Sequence, residues 1–226
     1  MTIRRLLALC AALAALGLIS AGAALAAGTG VTVRVEGLKR TLLPATVVRP
    51  GTGSITKGGT PAGSCPVASG AGALDAATHH KWNGTYDSGL GIEITSILGE
   101  THVYSAKGYY WGIWVNGRFA TAGICDLKLH TGEQLLFAPA PGSGNVYPLL
   151  VSAPKHATVG HAFTVKVTAY GAKGGDKPVS GVSVTGGGRT NKSGIAHVTE
   201  KRSGKITITV SRKGYVRDEA LVDVAA

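Results

Sequence analysis

Charge is scarce in this chain, and negative charge scarcer still. Only 15% of its 226 residues are charged, with 12 Asp or Glu against 23 Lys or Arg. The acids are scattered, so no pair of carboxylates stands out for acid–base or glycosidic chemistry. There is no G-x-S-x-G, no H-E-x-x-H and no glycine loop ending in Gly-Lys-Ser/Thr, so the signatures of serine hydrolases, zincins and P-loop enzymes are missing. Beyond residue 27 no apolar run reaches the roughly 18 residues of a membrane-spanning helix. Aromatics are 6%, Met occurs once and Cys three times. These absences argue against an enzyme, and no catalytic residue, metal-ligand set or cofactor is expected. Glycine is the contrast: 34 residues, about twice the ordinary share. Such a chain favours short strands and turns over long amphipathic helices.

Residues 1–27 read as a secretory signal peptide. Arg4 and Arg5 form the positive segment, Leu6 to Ile19 the apolar one, and Ala24-Leu25-Ala26 the cleavage site. The rival reading is a retained anchor, since Leu6 to Ala27 is long enough to span. Small residues in its second half favour cleavage, which makes the mature chain secreted or extracytoplasmic. Its charge is then 21 − 12, or +9. Cys10 leaves with the leader. Cys65 and Cys125 remain, and an even pair in an oxidising compartment is most simply a disulfide. A two-cysteine metal site is the alternative, but neither has a Cys or His nearby at metal spacing.

Charge divides the mature chain. Residues 28–147 carry 9 basic and 7 acidic residues, and residues 148–226 carry 12 and 5. The Pro/Gly/Ser-rich stretch 138–145 reads as a connection. The expected organisation is a first domain at 28–140, a linker at 141–147 and a second domain at 148–226. In the first, strands are expected at 31–36, 41–48, 92–97, 109–116 and 134–137, with a helix over 71–80 capped by Ser69. Asn116-Gly117 is a strong type I′ hairpin signal. In the second, strands are expected at 149–152, 162–170, 179–185, 195–199, 205–211 and 220–224, a spacing that suits a β-sandwich. The fold class is therefore α+β for the first domain and all-β for the second.

The stretch 109–117, YYWGIWVNG, together with Gly123-Ile124-Cys125, Leu129-His130-Thr131-Gly132-Glu133 and Leu135-Leu136-Phe137, resembles the transcobalamin-like C-terminal domain family. This is a bacterial secreted family, largely of unknown function, related to the smaller domain of transcobalamin and intrinsic factor. The resemblance runs from about Val31 to Ala138. It implies an α+β fold of the β-grasp type and supports pairing of Cys65 with Cys125. In the animal relatives this domain helps to cap cobalamin with a Tyr-Trp pair, which Tyr110-Trp111 matches. Gly112 stands where those proteins have glutamine, and their large helical barrel is absent, so cobalamin is a remote ligand. The second domain resembles bacterial Ig-like or carboxypeptidase-regulatory-like modules through Val179-Ser180-Gly181-Val182, residues 190–196 and Lys213-Gly214-Tyr215. Such modules act as spacers or adhesive units.

The aromatic strand is the candidate binding surface. Period-2 alternation puts Tyr109, Trp111, Ile113 and Val115 on one face and Tyr110, Gly112, Trp114 and Asn116 on the other. The first face is expected to pack on the helix. The second leaves Tyr110 and Trp114 flanking a glycine, a flat platform for a sugar ring or planar ligand. Tyr110, Trp111, Trp114 and Asn116 are the candidate ligand contacts. His79-His80 makes a poor chelate, and Asp75 is placed to share a helix face with His79. Lys201, Arg202, Lys205, Arg212, Lys213 and Arg217 give the second domain a basic surface that can attract anionic wall polymers, lipid head groups or extracellular DNA. The leader disfavours nucleic acid, and the expected partner is a cell-wall glycan or an anionic wall polymer. The expected function is a non-catalytic, extracellular or wall-associated binding protein. A purely structural or adhesive module and a corrinoid binder are the alternatives.

Overall fold

The computed structural model describes residues 30–170 and 176–226. The leader, with Cys10 and the cleavage site, lies outside the described residues, as does most of the Gly174-Gly175-Asp176 turn. The first half contains β1 (Val31–Glu36), β2 (Thr41–Val48), α1 (Gly70–Ala77), β3 (Trp82–Asp87), β4 (Gly91–Ile97), β5 (Glu100–Thr101), β6 (Tyr109–Val115), β7 (Arg118–Phe119) and β8 (Gln134–Pro141). One sheet runs β2-β1-β8-β6-β7 and a second β3-β4-β5. Within the larger sheet β1 and β8 are parallel, and the other pairs are antiparallel. Helix α1 buries almost its whole length, and Leu74 joins β1, Phe137 and Trp111 in a single core.

The expected α+β class does not hold. The described residues form eighteen strands in four sheets, with one eight-residue helix. Two local causes shorten the helical content. His79 and His80 have φ of 50° and 66°, so the chain turns left-handed where the helix was expected to continue. Directly after them, Trp82–Asp87, for which no strand was expected, pairs with β4. Ser69 occupies the N-cap position, but its hydroxyl donates to the Pro66 carbonyl at 2.6 Å rather than capping the helix.

Strand β8 also runs past its expected end. β1 pairs with it only as far as Phe137, whereas β6 pairs with it through Pro141. Residues 138–141 are thus an edge on one side, and an edge tolerates prolines that cannot donate to a ladder. The Pro-rich composition that reads as a connection is the open end of a strand.

The second half is all strand: β9 (Tyr147–Ser152), β10 (His156–Thr158), β11 (Ala162–Tyr170), β12 (Asp176–Pro178), β13 (Ser183–Val184), β14 (Gly188–Arg189), β15 (Ile195–Thr199), β16 (Gly204–Ser211), β17 (Tyr215–Val216) and β18 (Asp218–Ala225). One sheet is β10-β18-β16-β13-β14. The other is β12-β11-β9-β17, with β15 on β11. Alternate residues point inward along β11, where Phe163, Val165, Val167 and Ala169 are buried. They share one core with Ile208, Val210, Val222 and Val224 of the facing sheet.

Two of the contacts that join the halves stand out. The first is apolar: Trp114, Leu136, Ala138 and Ala140 pack with Val216 of β17. The second is a largely buried polar clamp. Arg34 pairs with Glu36 at 3.1 Å and reaches across to Asp218 at 2.6 Å. Arg217 answers from the other side, pairing with Glu36 at 3.2 Å and donating to the Gly37 and Leu38 carbonyls. Thr41 donates to Glu36 at 3.0 Å.

Burial pushes the Glu36 carboxyl up to about 7, against the pull of Arg34, Thr41 and Arg217. Burial raises Asp218 as well, against Arg34. A carboxyl with a higher pKa folded than unfolded takes up a proton on folding, so stability falls as pH rises from 4.5 toward 7. The melting temperature is therefore expected to be several degrees higher at about pH 5 than at about pH 8, and Glu36→Gln to flatten that difference. Thermal unfolding across pH checks this; an unchanged slope in the variant would contradict it.

Candidate functional site

The hairpin that carries the aromatic strand forms as its turn residues dictate. Asn116 and Gly117 have φ of 49° and 79°, the pair of positive values a type I′ turn requires. The turn sets Phe119 opposite Trp114, with the two rings edge to face at 5.3 Å. Gly112 is needed one step earlier. A Cβ there would stand 2.7 Å from the Trp114 ring and 2.9 Å from Ala140, so only glycine lets the indole lie flat across the sheet.

The four candidate contacts separate. Trp111 turns into the core of the first half, 5% exposed. It meets His102 edge-on at 5.1 Å, and its indole N–H has no hydrogen-bond partner. The Asn116 carboxamide oxygen accepts from the Gln134 backbone N–H at 2.9 Å, which ties the turn to β8. Trp114 is 1% exposed, because Val216 and the strand β8 cover it. The flat exposed platform expected of Tyr110 and Trp114 is accordingly not present: the second half of the chain lies over that face.

Covering the face creates a cleft instead. Tyr110 and Trp114 line a cavity of about 310 Å³ together with Phe119, Tyr147 and Tyr170. Tyr147 and Tyr170 come from β9 and β11, so the two halves supply opposite walls. Arg118 sits at the rim with its guanidinium 4.8 Å from the Tyr170 ring centre, a cation–π contact that holds the charge at the opening. Among the described residues no carboxylate lines the cavity. Burial, with Tyr104 beside it, raises the Tyr110 phenol above its ordinary value, so it is a neutral donor at neutral pH. Aromatic faces offer apolar stacking, and the Tyr110 phenol and the Arg118 guanidinium offer hydrogen-bond donors along the same cavity.

Sequence reasoning reads Arg118 as a turn residue first and a ligand contact second, and it misses Phe119, Tyr147 and Tyr170. Phe119 was legible in principle, since a two-residue I′ turn at 116–117 fixes the partner of Trp114. Tyr147 and Tyr170 had no local signal, as only the docking of the halves brings them near.

The other predicted features lie elsewhere. Cys65 and Cys125 are joined by a disulfide. Asp75 pairs with His80, not His79, and accepts from the Trp82 indole N–H at 2.8 Å. The left-handed turn at 79–80 replaces the helical spacing that would have brought His79 over it. Lys57 lies 4.9 Å over the Trp82 ring, so this cluster seals the base of the helix. Among the described residues no group of three His, Cys, Asp or Glu is placed to hold a metal, and no helix is long and apolar enough to cross a membrane.

Fold and site thus define a two-part β protein with an aromatic cleft between its parts. Residues 70–138 match a family model described as a domain of unknown function, DUF4430, which is the transcobalamin-like domain family. The match begins at α1 and ends within β8, so it contains Tyr110, Trp114 and Phe119 and leaves out Tyr147 and Tyr170. No curated protein matches the chain, and no solved structure does.

Proposed function

We propose that the protein is a non-catalytic binding protein of the extracytoplasmic space, secreted or wall-associated, which holds a sugar ring of a cell-wall glycan in the cleft between its halves. One observation carries the reading: five aromatic side chains from both halves converge on one cavity of about 310 Å³, with an arginine at its mouth. That volume lies at the small end of ligand pockets. It suits a sugar ring and is too small for a corrinoid with its nucleotide loop. In this reading the second half, related to Ig-like or carboxypeptidase-regulatory-like modules, is a wall of the site as well as a spacer.

Intrinsic tryptophan fluorescence tests the proposal, because Trp114 forms the floor of the cleft. Titration of the mature protein with wall-glycan fragments is expected to give a saturable change. Phe119→Ala and Tyr170→Ala are each expected to weaken binding by about tenfold, in line with the loss of one stacking ring, with folding preserved. No saturable response to any fragment would favour the second reading, a structural or adhesive module. The burial of Trp111 and Trp114 is the observation on that side.

A further inference from the structure

A second cavity between the halves has a different chemistry. It is an open groove of about 1090 Å³ whose lining includes Arg189, Arg212, Lys213 and Arg217 and, among the described residues, no Asp or Glu. Tyr109 and Tyr215 lie along it, and it shares Pro141, Asn145 and Val146 with the aromatic cleft. Four cations of one sign with no lining carboxylate is unusual in a surface where acids and bases normally intersperse.

The cations are not equivalent. Arg217 is committed to the clamp, through Glu36 and the Gly37 and Leu38 carbonyls. Arg189 and Arg212 instead each donate to a backbone carbonyl of the neighbouring turn, Gly181 at 2.9 Å and Ser180 at 2.6 Å. Arg212 also lies over the Tyr215 ring at 5.5 Å. These contacts use one N–H of each guanidinium group, and both arginines line the groove; a planar fork with donors to spare suits tetrahedral anions. Among the described residues neither arginine forms an ion pair, nor does Lys213. Charge is therefore uncompensated where the chain has already spent side-chain freedom to fix it. The groove is far larger than one phosphate, and its walls come from both halves.

We infer that this groove binds a phosphodiester-linked polyol chain, with Arg189, Arg212 and Lys213 as its phosphate contacts. The ligand is an extended polyanion because two held guanidinium groups and the exposed Lys213 along one open groove read repeated charge, and Tyr109 and Tyr215 supply apolar contact for the carbon links between phosphates. The groove adjoins the aromatic cleft at Pro141, Asn145 and Val146, but its cationic contacts lie outside the cleft, and the inference does not depend on the glycan reading.

A fluorescently labelled poly(glycerol phosphate) oligomer, titrated into the mature protein and read by anisotropy, tests the inference. Saturable binding at low salt is expected, weakening steeply as salt rises, with a log–log slope of about −2 for three phosphate contacts on a flexible chain. Arg212→Glu with Lys213→Glu is expected to reduce affinity by more than about tenfold. Lys213→Glu alone, at an exposed position, keeps the test valid if the Arg212 change disturbs Tyr215. Phe119→Ala is expected to leave this binding unchanged, which separates failure here from failure of the cleft. Absence of saturable binding, or binding indifferent to the charge reversals, would overturn the inference. Tighter binding to anionic phosphatidylglycerol vesicles or single-stranded DNA of equal charge would also overturn it, assigning the cations to a membrane surface or a nucleic acid.

Discussion

Replacing Cys65 and Cys125 by serine is expected to cost about 4 kcal/mol of stability and lower the melting temperature by roughly 10 °C. The bridge spans 60 residues of sequence, and closing so long a loop removes much of the freedom of the unfolded chain. Its position explains why the loss is not absorbed locally. The segment after Cys125 and the start of α1 are stitched together, since Ala71 N–H donates to the Ile124 carbonyl and Gly70 N–H to that of Leu127. Ile55 N–H likewise donates to the Cys65 carbonyl. Both cysteines are buried in the core that holds Leu74 and Trp82. The bridge thus ties a strand-poor stretch, residues 49–69, to the segment between β7 and β8. Thermal unfolding with and without reductant measures this, and a shift of less than about 2 °C would contradict it.

Trp114→Ala is expected to be nearly as severe, at about 3–5 kcal/mol. The indole fills the space between the halves, opposite Leu136 in register and against Ala138, Ala140 and Val216. The glycine beneath it is too small to fill the void. Removing it leaves the polar clamp as the main remaining contact, so calorimetry is expected to show one transition in the native protein and two in the variant. Trp114→Phe is expected to lose less, because an aromatic ring still fills part of the space against Leu136 and Val216. A loss below about 1 kcal/mol with one transition would show that the halves are held together elsewhere. The severity also means that Trp114→Ala is a poor probe of ligand binding, whereas Phe119 and Tyr170, at the wall of the cleft, are good ones.

Much of the strand pattern was legible in the sequence. The alternation of Val31, Val33 and Val35, and of Phe163, Val165 and Val167, is a period-2 signal that survives because one face of each strand meets a core. The Asn116-Gly117 turn was legible for a backbone reason that needs no tertiary context. Three features were not. The strand Trp82–Asp87, WNGTYD, has no alternating apolar pattern and exists because β4 offers it a partner. The end of β8 hid behind prolines that only an edge position tolerates. The helix stopped early because His79 and His80 adopt a conformation that their side chains do not advertise. Those three local departures are also why the first half is nearly all β.

The site shows the same division. The two faces of the aromatic strand were assigned correctly in alternation, with Trp111 facing the core and Tyr110 and Trp114 opposite. What lay over the second face was not readable. Val216, Tyr147 and Tyr170 come from distant positions in the chain, and the buried clamp of Arg34, Glu36, Arg217 and Asp218 that docks them looks like ordinary scattered charge in sequence. Of the basic residues that stood out, Arg212, Lys213 and Arg217 gather along the groove with Arg189. Lys201, Arg202 and Lys205 do not line it.

The most direct measurement of the cleft's role is the same glycan titration read residue by residue, as backbone amide shifts of the isotope-labelled mature protein. The expected result is a saturable set of shifts on both walls, at Tyr110 and Gly117 to Phe119 on one side and Tyr147 and Tyr170 on the other, with a single affinity. Shifts confined to one half of the chain, or to surfaces away from these residues, would contradict a binding site formed between the halves.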